Sequence, residues 1–243
     1  MKTFWLLVFV AFRLISSEID PAILAQIEPY LLTNTELLKK LDKIFLKNRV
    51  LTDRSSLENA GFYAYGAFHT SGVHVLKHKK LKNYLVKCFT DDFVEKLDWQ
   101  HFLYRIKGAE YIHQAILYRN AGHYMKVPHK WIYKIPSIAP QGPHHFILVV
   151  EDMKICGRKK NREKWKNEVK FDLLYCFYHV INDAGAADCN FVDNAPFSED
   201  GKIAFVDTEI YHRWPINFEK LTHYLSPANR HYWHHLYSSG GIK

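Results

Sequence analysis

The chain is short of the residues that would build a metal or disulfide framework. It has four cysteines in 243 residues, Cys88, Cys156, Cys176 and Cys189, and none forms a CxxC pair. That argues against the usual zinc scaffolds. Buried free thiols are the expected state, Cys88 in a strand-like run and Cys176 on an apolar helix face. One or two bridges stay open if the chain is exported. No H-E-x-x-H accompanies the 15 histidines. His231 and His235 share a helical face, but bulky aromatics surround them, so a packed helix is expected there. No repeat and no low-complexity linker interrupts the sequence. Acids are fewer than cations, 25 against 33, giving a net charge of +8 and a pI of about 9.1. Such a surface favours anionic partners, including phosphate compounds and acidic surfaces. No nucleic-acid reader motif goes with it, so nucleic acid is not the expected partner.

The N-terminal "MKTFWLLVFVAFRLISSE" reads as a secretory signal. Lys2 precedes an apolar run from Phe4 to Phe12, and Ser16 and Ser17 sit near a cleavage point. The run is too short to span a bilayer. Residues 1–17 are therefore expected to direct export to a secretory compartment, the periplasm or the outside. The alternative is a buried N-terminal helix. Cleavage removes Lys2 and Arg13 and no acid, and leaves no transmembrane segment expected in the mature chain.

The whole chain is 48% hydrophobic, 15% aromatic and 24% charged, a globular composition long enough for one sizeable core or two small lobes. Residues 18–58 read as a helical extension, helical from 20 to 48. Asp20-Pro21 caps its start, and Thr33 and Glu36 form a capping box before "LLKKLDKIFL". From Asn59 the pattern turns strand-like: "GFYAYGAF", "GVHVLKH", a basic turn "KKLKN", then "YLVKCF". That basic tip is a solvated turn or a contact for an acidic partner. "FLYRIKGAEYIHQAIL" carries a helical stripe at Phe102, Leu103, Ile106, Ala109, Ile112, Ala115 and Ile116. The strands "WIYKI" and "HFILVVEDMKI" follow, separated by the loop "PSIAPQGPH". A boundary falls near 151–158. Beyond it come the amphipathic helix "EVKFDLLYCFYHVINDAG", the turn "SEDG", the strand "KIAFVDTE" and an aromatic helical tail. The expected fold class is α+β, two-lobed: a small, mainly antiparallel sheet lobe with one helix over 59–153, then a mainly helical lobe over 154–243.

Asn194 and Asp207 flank "APFSEDGKIAFV", a strand, turn and strand that bring the two together. An amide oxygen and a carboxylate aimed at one point suit a hard divalent cation completed by phosphates. The plainer alternatives are a turn residue before Pro196 and a strand end meeting solvent.

In this order of parts the sequence resembles the protein-kinase-like superfamily. "GAADCNFVDN" looks like a catalytic loop after a long helix, and "VDTE" stands where a kinase has its metal-binding Asp-Phe-Gly. The resemblance implies Asp188 as catalytic base and Asn194 and Asp207 as magnesium ligands. It implies Lys87, in "YLVKCF", as the lysine on the nucleotide phosphates. Glu110 is its expected partner on the following helix, with Glu95 the second choice. "ILVVEDMKI" resembles the hinge, so the backbone of Glu151 to Met153 is expected at the adenine. Glu209 either adds a carboxylate to the site or pairs with Arg213. The departures point to an atypical, reduced member. Asp188 and Asn194 are six apart where the family has five, and Ala186-Ala187 replaces His-Arg. "GAFHTSGV" keeps only Gly66 and Gly72, and 34 residues follow Glu209. The implied activity is ATP- and magnesium-dependent phosphoryl transfer to a hydroxyl of a protein or small molecule. The alternatives are a catalytically inactive kinase-like binding protein and an exported protein whose basic surface binds an anion.

Overall fold

A computed structural model describes residues 19–65, 72–93 and 98–242. The expected signal segment, Gly66 and Glu95 lie outside them. Asp20 caps α1 (Pro21–Ile27), its carboxylate accepting from the Ala22 N–H at 2.8 Å with Pro21 at the first helical position. A 3-10 turn, Glu28–Tyr30, carries Pro29 and ends the segment. A new helix, α2 (Thr35–Phe45), then begins, so the helix expected over 20–48 is broken in two. Its cap is Asn34, whose Oδ1 accepts from the Leu37 N–H at 3.0 Å, in place of the expected Thr33–Glu36 box. Asparagine is the stronger N-cap of the two neighbours.

The chain continues through α3 (Arg54–Asn59), β1 (Phe62–Ala64), β2 (His74–His78), β3 (Tyr84–Cys88), α4 (Asp98–Tyr118), β4 (Met125–Lys126), β5 (Lys130–Lys134) and β6 (Phe146–Glu151). The fold is α+β. Five strands form one antiparallel sheet in the order β1-β2-β3-β6-β5. β6 lies between β3 and β5 and is buried along its first five residues, as an unbroken apolar run demands. The chain then forms α5 (Arg158–Asn167), α6 (Phe171–Ala184), β7 (Ile203–Ala204), a 3-10 segment at Phe218–Tyr224 and α7 (Pro227–Ser238). β7 pairs in parallel with β4. The expected strand through "KIAFVDTE" is thus two residues of regular strand followed by extended chain. α5 is a helix the apolar pattern did not announce, because Trp165 is the one apolar side chain in it. Among the described residues, no helix is long and apolar enough to cross a membrane. Cys88, Cys156 and Cys189 are buried free thiols and Cys176 is half-buried.

Three apolar clusters close the interior. One lies on the sheet face that meets α2 and α3, with Leu41, Leu57, Leu76 and Val149. The second covers the opposite face and joins Leu85, Ile132 and Leu148 to Trp99, Phe102 and Ile106 of α4. The third packs Ile112 and Ile116 of the same helix against α6, α7 and the 3-10 segment. At about 100° per residue, the buried arc of α4 therefore drifts sideways along its length, from the Trp99–Leu103 side toward the Gly108–Ala115 side.

His144, fully buried, fastens the start of α4. Its Nδ1 lies 3.0 Å from Asp98 Oδ2 and its Nε2 3.1 Å from the Phe93 carbonyl. Both partners are acceptors, an arrangement that favours the doubly protonated ring. Burial opposes the charge, but Asp98, the Phe93 carbonyl and Asp91 outweigh it and hold the pKa above 6.5. A raised folded pKa stabilises fully below the unfolded value and is lost as pH rises through the folded one. The stability advantage of wild type over His144→Gln should therefore shrink as pH is raised above 6.5. Denaturant titrations of both proteins across that window check it. The difference is the quantity to follow, since burial lowers the pKa of His78, His145 and His179, which act with the opposite sign.

Candidate active site

A glycine sets up the loop that carries the first candidate residues. Gly185 ends α6 at φ +59°, and the N–H of Ala186 closes back on the Ile181 carbonyl at 2.9 Å. The left-handed turn is one reason for glycine. Crowding is another, for a Cβ here would lie 2.7 Å from both His212 Cα and the Trp214 ring. The chain then descends through Asp188 to Asn194 and enters the hairpin expected from "SEDG". Its rungs run outward from the turn. Ser198 N–H donates to Lys202 O at 2.8 Å, Ala204 N–H to Pro196 O at 2.8 Å, and Val206 N–H to Asn194 O at 3.0 Å. The last rung sets Asn194 beside the residue preceding Asp207. Asn194 Nδ2 donates to the Asp188 carbonyl at 3.0 Å, which leaves its Oδ1 as the end of the amide that can meet a cation.

α5 holds this loop from outside. Asn161, fully buried, donates from Nδ2 to Val192 O at 2.8 Å and accepts at Oδ1 from Phe197 N–H at 2.9 Å. The Trp165 indole donates to Ala195 O at 3.2 Å. Cys189 Sγ contacts the Asp207 carbonyl at 3.3 Å. The candidate carboxylates are thus mounted on a laced frame.

Opposite them the sheet and α4 deliver basic side chains. Side chains alternate along strands, so Lys87 shares a face of β3 with Leu85, and Lys130 shares that face through β5 with Ile132. Lys87 Nζ lies 4.0 Å from Asp207 Oδ1 and donates to Val206 O at 3.3 Å. Arg105, from α4, places Nε 3.4 Å from the same Asp207 oxygen and Nη2 2.5 Å from Glu209 Oε2. His101 Nδ1 meets the other Glu209 oxygen. Lys130 Nζ donates to Thr208 Oγ1 at 2.5 Å and to the Arg105 carbonyl at 3.3 Å, and Thr208 Oγ1 donates to that carbonyl at 2.6 Å. The three basic side chains are buried, whereas the Asp207 carboxylate keeps 40% of its side-chain surface. The acid faces the open side and the basic groups back it.

The electrostatics follow this layout. Burial pushes the Asp207 carboxyl up, but Lys87, Arg105 and Lys130 outweigh it and hold it below the usual carboxylate range. Burial drives Lys87 below its ordinary value against the pull of Asp207. Burial, with Lys87 adding to it, takes Lys130 well below. Asp188 is raised by burial and by the nearby Asp207 and Glu209 charges, with Lys220 opposing.

Four of the expected residues come together: Lys87 with Asp207 at the front, Asn194 with Asp188 behind. Glu110 does not join them. It lies five residues past Arg105, about 140° around the helix, on the exposed side, where the nearest influence on its carboxyl after burial is Lys107. The drift of the buried arc is the reason, and Arg105 is the α4 side chain that reaches Asp207. Glu209 pairs with Arg105 and His101 instead of Arg213. Of the hinge residues, the Glu151 N–H is taken by the His129 carbonyl at 2.9 Å, so it does not face a base. Met153 is buried in a linker whose neighbours Lys154 and Cys156 bond to the hairpin at Glu199 and Phe197. Among the described residues no three His, Cys, Asp or Glu groups converge as a metal cluster. The donor set here, one carboxylate and one amide oxygen, instead suits magnesium, which takes one or two carboxylates and completes its shell with water and phosphate.

Arg105, Thr208 and Gly108 are site residues that sequence reasoning missed. Arg105 had a signal: a charge flanked by Phe102, Ile106 and Ala109 falls inside the apolar arc. Gly108 had one too, since an interior helix glycine costs about 1 kcal/mol relative to alanine and so points to a close approach. No protein-family model, no curated protein and no solved structure matches this chain.

Proposed function

We propose that the chain is an ATP- and magnesium-dependent phosphotransferase of atypical, reduced kinase-like type, acting on a hydroxyl acceptor. In this reading the sheet with α4 forms the small lobe of a two-lobed arrangement, and the helical part forms a reduced large lobe. The observation that carries it is the meeting of Lys87 and Asp207 across 4.0 Å, with Asn194 and Asp188 fixed on the same loop-and-hairpin frame. Lys87 is a buried cation for the phosphates. Asn194 Oδ1 and Asp207 would hold magnesium, which when bound neutralises charge on the triphosphate. Asp188 orients the acceptor hydroxyl and takes its proton; its raised pKa is in the direction that favours proton acceptance. The backbone of Met153 would meet the adenine. Export through residues 1–17 would place this chemistry in a secretory compartment or delivered outside.

A specific observation also favours the non-catalytic alternative, a kinase-like binding protein. Asp207 is held between Lys87 and Arg105, and the α4 side chain that reaches it is a cation instead of the expected glutamate. A thermal-shift titration separates the readings from a chain that binds no nucleotide. Magnesium-ATP at about 100 times its Kd should stabilise the protein by about 2.7 kcal/mol, and ATP with chelator by much less. Transfer of the γ-phosphoryl group to protein or added acceptor marks the enzyme, and binding without transfer marks the alternative. No shift under either condition removes both.

A further inference from the structure

The Arg105 guanidinium is more than nine-tenths buried, and its head lies inside the charged cluster, yet its bonds do not use it up. Nε and Nη2 face Asp207 and Glu209, while Nη1 is buried with no hydrogen-bond partner. A buried, unmet N–H on a charged group is costly, and native proteins rarely keep one without a use. The local charge points the same way. Lys87, Arg105 and Lys130 gather around the single carboxylate of Asp207. Two of these basic groups, Lys87 Nζ and Arg105 Nε, converge on one oxygen of one carboxylate, at 4.0 and 3.4 Å. A single oxygen does not saturate them. A planar fork with a spare N–H beside a lysine fits an anion with several oxygens on a tetrahedral centre, the geometry in which arginine exceeds lysine.

We infer that Arg105 is a phosphate-binding residue, with Nη1 meeting phosphoryl oxygens of the nucleotide alongside Lys87. This rests on the phosphotransferase reading of the cleft and adds to it. The helix that was expected to supply a carboxylate to steady the lysine supplies a second cation instead. Arg105 holds Asp207 and Glu209 in the unliganded protein and turns its free N–H to the polyphosphate when it enters. The ligand class is a polyphosphate chain, and inorganic tripolyphosphate carries the recognised chemistry without the nucleoside.

The test is calorimetric titration of the full chain and of Arg105→Gln and Arg105→Lys with three probes: magnesium-ATP, inorganic tripolyphosphate and adenosine. Wild type is expected to bind ATP and tripolyphosphate. Arg105→Gln should bind both at least tenfold more weakly, and Arg105→Lys, which keeps the charge and loses the fork, should fall between. Adenosine binding should not change in either variant. If Arg105→Gln fails to fold, Arg105→Lys decides. A folded lysine variant that binds tripolyphosphate as wild type does overturns the inference and makes Arg105 only a tether for Glu209. Wild type binding ATP with both variants unaltered leaves the nucleotide reading and removes this one. Tripolyphosphate bound as tightly as ATP, with loss on substitution, keeps the phosphate role of Arg105 and removes the nucleotide. No binding of ATP or tripolyphosphate by wild type removes both.

Discussion

Replacing Gly108 by alanine is expected to lower the stability of the protein by about 3 kcal/mol or more, and to disable the candidate site with it. A Cβ at position 108 would lie 1.7 Å from the Thr208 carbonyl oxygen and 3.1 Å from the Tyr211 ring. The first of these is backbone, so no rotamer change relieves the clash. Either α4 or the extended chain from Asp207 to Glu209 must move. The helix is held on both sides by packed clusters, and the extended chain is held by Thr208, whose hydroxyl reaches the Arg105 carbonyl at 2.6 Å. At about 2–4 °C per kcal/mol for a chain of this size, the melting temperature should fall by about 6–12 °C. Displacement by about an ångström also costs on the order of 100-fold in a positioned reaction. Calorimetry of the variant, with the same titration by magnesium-ATP, measures both effects. An alanine variant with wild-type stability would mean that the helix and the Asp207 strand do not approach as described.

Asp207→Ala should abolish the stabilisation by magnesium-ATP and reduce phosphoryl transfer by on the order of 100-fold or more. The carboxylate is the sole anionic member of the proposed metal pair and the shared partner of Lys87 and Arg105. Its loss leaves two buried cations facing each other, which should also weaken the unliganded protein, by about 1–2 kcal/mol once the partial exposure of Asp207 is allowed for. The two effects separate by pH. The carboxyl is held below its ordinary 3.8, so its contribution to stability is present above that value and is lost as pH falls through the folded pKa. Wild type and variant should therefore converge in stability at strongly acid pH and differ at neutral pH. The loss of ligand response is measured at neutral pH, against Asp207→Asn as the shape-preserving control. A variant that keeps the full response to magnesium-ATP would detach Asp207 from any nucleotide site.

Much of this arrangement is legible in the sequence, and the rest is hidden for definite reasons. The sheet strands declare themselves because each carries an apolar run between glycine, proline or charged turns. The hairpin is visible in "SEDG", and its length alone sets Asn194 beside Val206 and Asp207. α5 is not visible. It is fixed by a polar side chain, Asn161, and an indole N–H, Trp165, instead of an apolar stripe. The expectation of Glu110 fails on helix phase. Type alone favours the glutamate opposite a lysine, but the apolar residues of α4 move around the helix between Leu103 and Ala115. A residue at 110 leaves the buried arc where one at 105 remains within it. The basic cluster is hidden because Lys87, Arg105 and Lys130 come from three separate elements, and periodicity within one element does not report which side chains meet across them.

The drift of that buried arc also bears on how the molecule comes apart. One continuous helix supplies Phe102 and Ile106 to the sheet's interior and Ile112 and Ile116 to the helical interior. Neither interior closes without it, so melting on one side strips apolar cover from the other. Cooperativity is thereby written into a single rod. The charged cluster lies along its middle, where loosening from either end is felt last.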